Sequence, residues 1–163
     1  MKRVMTRVLI MGVLLLAACI AWAPAAQAKD IKVGAAINLT GPASTWGQYH
    51  AKGHQDYFRY VNEVKGGVKG NKITMITVDT AYKPAEAVAA VRKFAMQEKV
   101  DMIATWGAGE GLQAKPLLQE YKIPAINYST AWELMQPPID YMYLPFGSYK
   151  LDCAVVMEYI AAV

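Results

Sequence analysis

Strand-like and helix-like segments alternate along most of this chain, and this alternation restricts the fold more than any other feature. Short apolar runs occupy Ile31–Ile37, Lys72–Asp79, Val100–Trp106 and Ile123–Asn127, with a fifth candidate at Tyr141–Phe146. Their length and β-branched content are typical of buried strands. Helical patterns separate successive runs, and such crossovers join parallel strands. We therefore predict an α/β fold, a mostly parallel sheet flanked by helices on both faces.

The intervening segments carry helix start and stop signals. Gln48–Val64 has apolar residues at helical spacing, and Pro84 can open a second helix at its first turn. A loop at Gly107–Gly111 is expected to lead into a helix that ends near Tyr121. Leu151–Ala162 is predicted to form the last helix.

The first 28 residues have the pattern of a signal peptide. Three basic residues precede an apolar run at Val8–Ala18, and Ala26-Gln27-Ala28 is a small-x-small cleavage site. The run is too short for a permanent membrane span. A second interpretation stays open, because Leu16-Ala17-Ala18-Cys19 is similar to a lipobox, in which Cys19 would be lipidated. The sequence thus predicts an exported chain, either cleaved after Ala28 or anchored through Cys19.

Charge argues against a nucleic-acid partner. The leader carries three basic residues and no acids, so its removal lowers the formal net charge from +4 to +1. The remaining Lys and Arg are dispersed among Asp and Glu, which leaves no basic patch for a phosphate backbone.

Signatures of catalysis or of a cofactor are incomplete. The segment Gly107-Ala108-Gly109-Glu110-Gly111-Leu112 departs from a dinucleotide fingerprint at its last position, and it follows the third strand instead of the first. His50 and His54 are four residues apart on a predicted helix, but no third metal ligand accompanies them. We interpret both as surface or half-buried histidines. We predict no catalytic residue, no metal and no cofactor.

Ligands of open α/β sheets bind beyond the carboxyl ends of the strands. That rule selects the loops Thr40–Tyr49, Gly107–Gln113 and Tyr128–Trp132, which hold aromatic residues, glycines and hydroxyl groups. Asp79 ends the second strand, and we expect it to cap the turn or the next helix.

A series of short motifs extends in order from Ile31 to about Ile160. They are Ile31-Lys32-Val33-Gly34, Asn38-Leu39-Thr40-Gly41-Pro42, Trp46-Gly47, Val61-Asn62-Glu63, Gly66-Gly67-Val68-Lys69-Gly70, Val78-Asp79-Thr80, Pro84-Ala85-Glu86-Ala87 and Lys122-Ile123-Pro124-Ala125-Ile126. Their order and spacing resemble the branched-chain-amino-acid class of periplasmic binding proteins, which have the type I fold.

The resemblance implies a non-enzymatic, periplasmic solute-binding component of an ABC importer. Residues 29–147 would form the N-terminal ligand-binding lobe, and 148–163 the truncated start of a second lobe. The implied partners are a small solute (an amino acid, an amide or a small aromatic acid) and an inner-membrane permease. The alternative is a ligand-sensing receptor domain of the same fold.

The resemblance also implies ligand-binding residues. Trp46 matches an aromatic that packs on the ligand, and Tyr149 is a candidate aromatic near the crossing into the second lobe. The loops after strands three and four contribute Ala108-Gly109-Glu110 and Ser129-Thr130-Ala131. Glu110 departs from the pattern, because a Ser is expected in its stretch to bind a ligand carboxylate. We expect either that Glu110 points to solvent or that the ligand is not a standard aliphatic amino acid.

Overall fold

The computed structural model describes residues 29–138 and 140–163, so the predicted signal peptide and Cys19 lie outside the described residues. The strands are β1 (Ile31–Ile37), β2 (Ile73–Asp79), β3 (Met102–Trp106), β4 (Ala125–Tyr128) and β5 (Met142–Tyr143). The α-helices are α1 (Ser44–Glu63), α2 (Pro84–Lys93), α3 (Ala108–Tyr121) and α4 (Tyr149–Ala162). Each predicted strand and helix is present.

The described strands form one parallel sheet in the order β2-β1-β3-β4-β5. The interior strand β1 is paired along its whole length with β2 and on its other side with β3. Since chain order reverses between β1 and β3, a crevice opens at their carboxyl ends.

Helices cover both faces of the sheet, as predicted. On one face, Ala35 and Ile37 of β1 pack with Ala51 of α1. On the other face, a larger core joins α2 and α3 to the sheet, and its members Phe94, Ile103 and Leu118 are fully buried. Alternate residues of β1 therefore face different helical layers, which explains why this strand is apolar throughout.

The predicted fifth strand, Tyr141–Phe146, is shorter in the structure and spans Met142–Tyr143. Two helices start earlier than predicted, both beside glycines. Helix α1 begins at Ser44 instead of Gln48 and therefore includes Gly47. This position requires glycine, because a Cβ there would lie 2.0 Å from the Asn38 carbonyl oxygen. Helix α3 begins at Ala108, so the loop predicted over Gly107–Gly111 is confined to Gly107. Close packing explains Gly47 and Gly111, whereas Gly107 has the positive φ of a loop glycine.

Helix α4 extends away from the core. None of its residues is buried, and exposed apolar side chains occur along its length, including Val155, Met157 and Ile160. The buried Ser148 caps its start, where the hydroxyl accepts a hydrogen bond from the Leu151 N–H at 3.3 Å. Among the described helices, none is long and apolar enough to cross a bilayer.

Replacement of Gly34 by Ala is expected to destabilise the fold. A Cβ on Gly34 would lie 2.7 Å from the buried Phe94 ring, and neither the strand nor the ring has room to move. Overpacking of this kind costs roughly 1–3 kcal/mol of unfolding free energy, measurable by urea denaturation.

Gly53→Ala is the matched control. Gly53 lies within α1, and an added Cβ there meets no atom within 4 Å. Alanine should raise the unfolding free energy by about 0.5–1 kcal/mol, because it favours the helix. Equal effects of the two substitutions would contradict the packing assigned to Gly34.

Candidate functional site

A cleft of about 490 Å³ lies at the carboxyl edge of the sheet, where β1 and β3 diverge. Its described lining contains seven side chains with rings: Trp46, His50, Tyr82, Trp106, Tyr128, Phe146 and Tyr149. The remaining lining residues are Gly107, Ala108, Ser129 and Thr130. The ends of three strands and the starts of three helices thus converge on one space of the size usual for a small-molecule site.

The structure brings most of the predicted ligand-binding residues together. Trp46, Ala108, Ser129, Thr130 and Tyr149 line the cleft. The Tyr149 N–H donates a hydrogen bond to the Thr130 carbonyl oxygen at 3.2 Å, which joins the start of α4 to the loop after β4.

Three other predicted residues, Gly109, Glu110 and Ala131, do not line the cleft. Gly109 and Glu110 lie in the first turn of α3, and the Ala131 N–H donates to the Ser129 hydroxyl at 3.1 Å. Ala131 therefore shapes the loop that presents Ser129.

Asp79 holds the loops on one side of the cleft. One carboxylate oxygen accepts from the N–H groups of Leu39, Thr40 and Ala81 at 2.9–3.2 Å, and the other accepts from the Thr40 hydroxyl at 2.6 Å. Burial alone would raise the pKa of Asp79, but these hydrogen bonds outweigh it and lower the pKa below its usual value. The predicted capping role is confirmed, and it fixes the turn that precedes Tyr82.

A histidine–tyrosine cluster forms another wall. The His54 Nε2 lies 2.8 Å from the Tyr128 hydroxyl, and the His50 and Tyr128 ring centroids are 4.8 Å apart. Both histidines are half-buried, as predicted. Burial lowers the pKa of each imidazole, and the neighbouring His50 lowers that of His54 further. This wall is accordingly uncharged at neutral pH. Within residues 29–138 and 140–163, no three potential metal ligands cluster.

Glu110 is buried beneath the cleft. Glu110 is 1% exposed, so the first of the two alternatives, that it points to solvent, was wrong. Among the described residues, neither of its oxygens has a hydrogen-bond partner. The nearby Thr80 hydroxyl donates instead to Asn38 Oδ1 at 2.8 Å. Burial, aided by the negative charge of Asp79 and only partly opposed by Thr80, raises the pKa of Glu110 to about 7.

Four of the cleft residues lie outside the loops and ligand-binding residues selected from the sequence. The sequence analysis interprets His50 as a surface or half-buried histidine and Phe146 as part of a strand. Tyr82 follows β2, whose loop was left out although the strand-end rule applies to it equally. Trp106 is the last residue of β3 and was assigned to the sheet. The same rule, applied to every strand end, would have found Tyr82 and Trp106.

The cleft is suited to binding. Rings provide apolar surface, and the Ser129 and Thr130 hydroxyls can donate or accept hydrogen bonds. Among the described residues, no Asp, Glu, Lys or Arg lines it.

The protonation of Glu110 should be visible in the pH dependence of stability. Its folded pKa of about 7 lies above the ordinary value of 4.5. Its stabilising contribution is therefore complete below pH 4.5 and is lost as the pH rises through 7. The unfolding free energy should fall by roughly 2 kcal/mol over this range. This is less than the full pKa difference would give, because the nearby sheet edge is solvated.

Urea denaturation of the native chain and of Glu110→Gln between pH 5 and 8 measures this loss. The difference between the two profiles separates Glu110 from His50 and His54, whose lowered pKa values have the opposite effect. Glu120→Gln, on the exposed side of the same helix, is the control and should leave the profile unchanged. Parallel profiles for the native chain and Glu110→Gln would refute the assignment.

Comparison with known proteins agrees with the fold. The chain is 40% identical over 86 residues to the Leu/Ile/Val-binding protein of Escherichia coli K12, a match that covers 52% of this chain and 23% of that protein. A branched-chain amino acid ABC transporter structure from Thermus thermophilus with bound valine superimposes with a TM-score of 0.72 at 31% identity, covering 83% of this chain and 35% of that one. A fatty acid ABC transporter substrate-binding protein from Thermomonospora curvata gives a TM-score of 0.71 at 25% identity, covering 81% and 33%.

The chain thus spans about a quarter to a third of the length of these relatives. The family model described as periplasmic binding protein matches residues 30–163, which is nearly all of the chain beyond the predicted leader. The parallel sheet, its strand order and this match lead to one conclusion: the chain belongs to the periplasmic binding protein family.

Proposed function

We propose that this chain is the N-terminal ligand-binding lobe of an extracytoplasmic solute-binding component of an ABC importer. Its ligand would be a small polar solute: an amino acid, an amide or a small aromatic acid. The loaded protein would present that ligand to an inner-membrane permease. Capture would involve binding without catalysis, as in the family.

The observation that carries the proposal is the convergence of Trp46, Ser129, Thr130 and Tyr149 on one cleft. These residues come from separate segments, yet they meet at the position where α/β sheets bind ligands. Ala108 also lines the cleft, whereas Gly109, Glu110 and Ala131 do not. An aromatic surface beside hydroxyl groups suits a ligand with an apolar body and a polar end.

We also propose that residues 29–147 form one lobe and that 148–163 begin a second. The full exposure of α4 supports this division, because its apolar side chains are unlike those of an isolated surface helix. Export to the periplasm, by cleavage after Ala28 or with an anchor at Cys19, agrees with the family. A sensor domain is less favoured, because the relatives' names refer to binding and transport.

A thermal-shift screen of the chain against amino acids, amides and small aromatic acids tests the proposal. Ligand at ten times its Kd should add about 1.4 kcal/mol of stability and raise the Tm by about 4 °C. Trp46→Ala should abolish most of that rise, because the ring supplies apolar contact.

Tyr49→Ala is the matched control. Tyr49 lies on the same helix and is 69% exposed, close to the 65% of Trp46, but it does not line the cleft. It should leave the ligand-induced rise intact. A panel that produces no rise, or equal losses in both variants, would contradict the proposed function.

A further inference from the structure

The cleft is unusually rich in aromatic rings. They come from the starts of α1 and α4, the carboxyl ends of β3 and β4, and the loops that hold Tyr82 and Phe146. Five of the rings form a continuous chain from Tyr82 through Trp106, His50 and Tyr128 to Phe146. The successive centroid distances are 5.7, 6.3, 4.8 and 6.3 Å. Such spacings are typical of interacting aromatic pairs.

The rings do not stack face to face on one another. Successive pairs are inclined by 47 to 60°, so each contact leaves ring faces uncovered. Tyr82 is 42% exposed and Phe146 is 51% exposed, and both border the cleft. Exposed aromatic surface concentrated in one concavity marks a place where an apolar partner binds.

The lack of charged side chains in the described lining of the cleft also favours an apolar ligand. The described lining has no carboxylate that could pair with an α-ammonium group, and no Lys or Arg that could pair with a carboxylate. Glu110 is buried behind Gly107 and does not reach the cleft. Selectivity on this lobe must therefore come from ring surface and from the Ser129 and Thr130 hydroxyls.

From these observations we infer that the ligand is a small aromatic solute. Its ring packs against the uncovered faces of the ring chain, and its polar substituent binds the two hydroxyls. This inference rests on the proposed function and narrows its ligand class. An aliphatic side chain would fill the same space, but it would gain no interaction with the ring quadrupoles.

Saturation-transfer NMR on the chain tests the ligand class, because it detects binding at Kd values near 1 mM, or about −4 kcal/mol. Benzoate and cyclohexanecarboxylate form the central pair, since they share a carboxylate and a six-membered carbon ring but only benzoate is aromatic. Benzoate and benzamide should bind about tenfold more tightly than cyclohexanecarboxylate and leucine.

Two variants locate the binding. Phe146→Leu removes one ring from an exposed loop position and should weaken benzoate binding about threefold to tenfold, while leaving cyclohexanecarboxylate unaffected. Tyr57→Leu, a 63% exposed position on α1 away from the cleft, should change neither. A urea melt of each variant verifies that it is folded.

The outcomes separate this inference from the proposed function. If leucine or cyclohexanecarboxylate binds as tightly as benzoate, or if Phe146→Leu weakens all ligands alike, the aromatic class is overturned and solute binding stands. If no probe binds at concentrations up to about 10 mM, any binding free energy is weaker than about 3 kcal/mol. The aromatic ligand class and the proposed function are then both overturned.

Discussion

The parallel pairing of β1 with neighbours on both sides is the constraint on which the rest of this structure depends. Register is continuous from Ile31 to Ile37 against β2, and β3 pairs with the other edge. All carboxyl ends therefore meet at one edge of the sheet. Ala36 packs in the core on one face of the sheet, and Ile37 packs in the core on the other. A shift of β1 by one residue would move each side chain to the opposite face, where the packing differs, so this register is strongly favoured.

Polar groups complete that edge. Asp79 binds the loop after β1 to the loop after β2, and the buried Thr80 hydroxyl joins Asn38. Asn127 donates to the Thr105 hydroxyl at 2.8 Å and to the Gly107 carbonyl oxygen at 3.2 Å, which links β3, β4 and the start of α3. Gly111 is required beside it, because a Cβ there would lie 2.5 Å from Asn127 Nδ2. The cleft is thus built on a polar floor, in which Asp79 and Glu110 are ionisable.

The floor and the cleft have separate roles. The hydrogen bonds of the floor position the loops, whereas the cleft presents rings and hydroxyl groups to solvent. Glu110 illustrates the difference: its sequence position suggests a ligand contact, but its burial makes it part of the support. The strand-end rule selected the loops that hold Trp46, Ser129 and Thr130, and the family resemblance added Tyr149. Tyr82, Trp106 and Phe146 belong to segments with a simpler interpretation as turn or strand. The strand-end rule, applied to every strand, selects Tyr82 and Trp106, but nothing local distinguishes Phe146.

Local sequence determined the alternation of strands and helices, because a strand buried on both faces must be apolar throughout and the crossovers between parallel strands must be long. It also determined the helix start at Pro84, whose fixed φ suits a first turn. Tertiary structure alone decided the starts of α1 and α3, since Gly47 and Gly111 mark close approach to residues distant in sequence. It likewise decided which way Glu110 faces and which rings meet, because both depend on the packing of α3 against the sheet and on the convergence of strand ends that lie far apart along the chain.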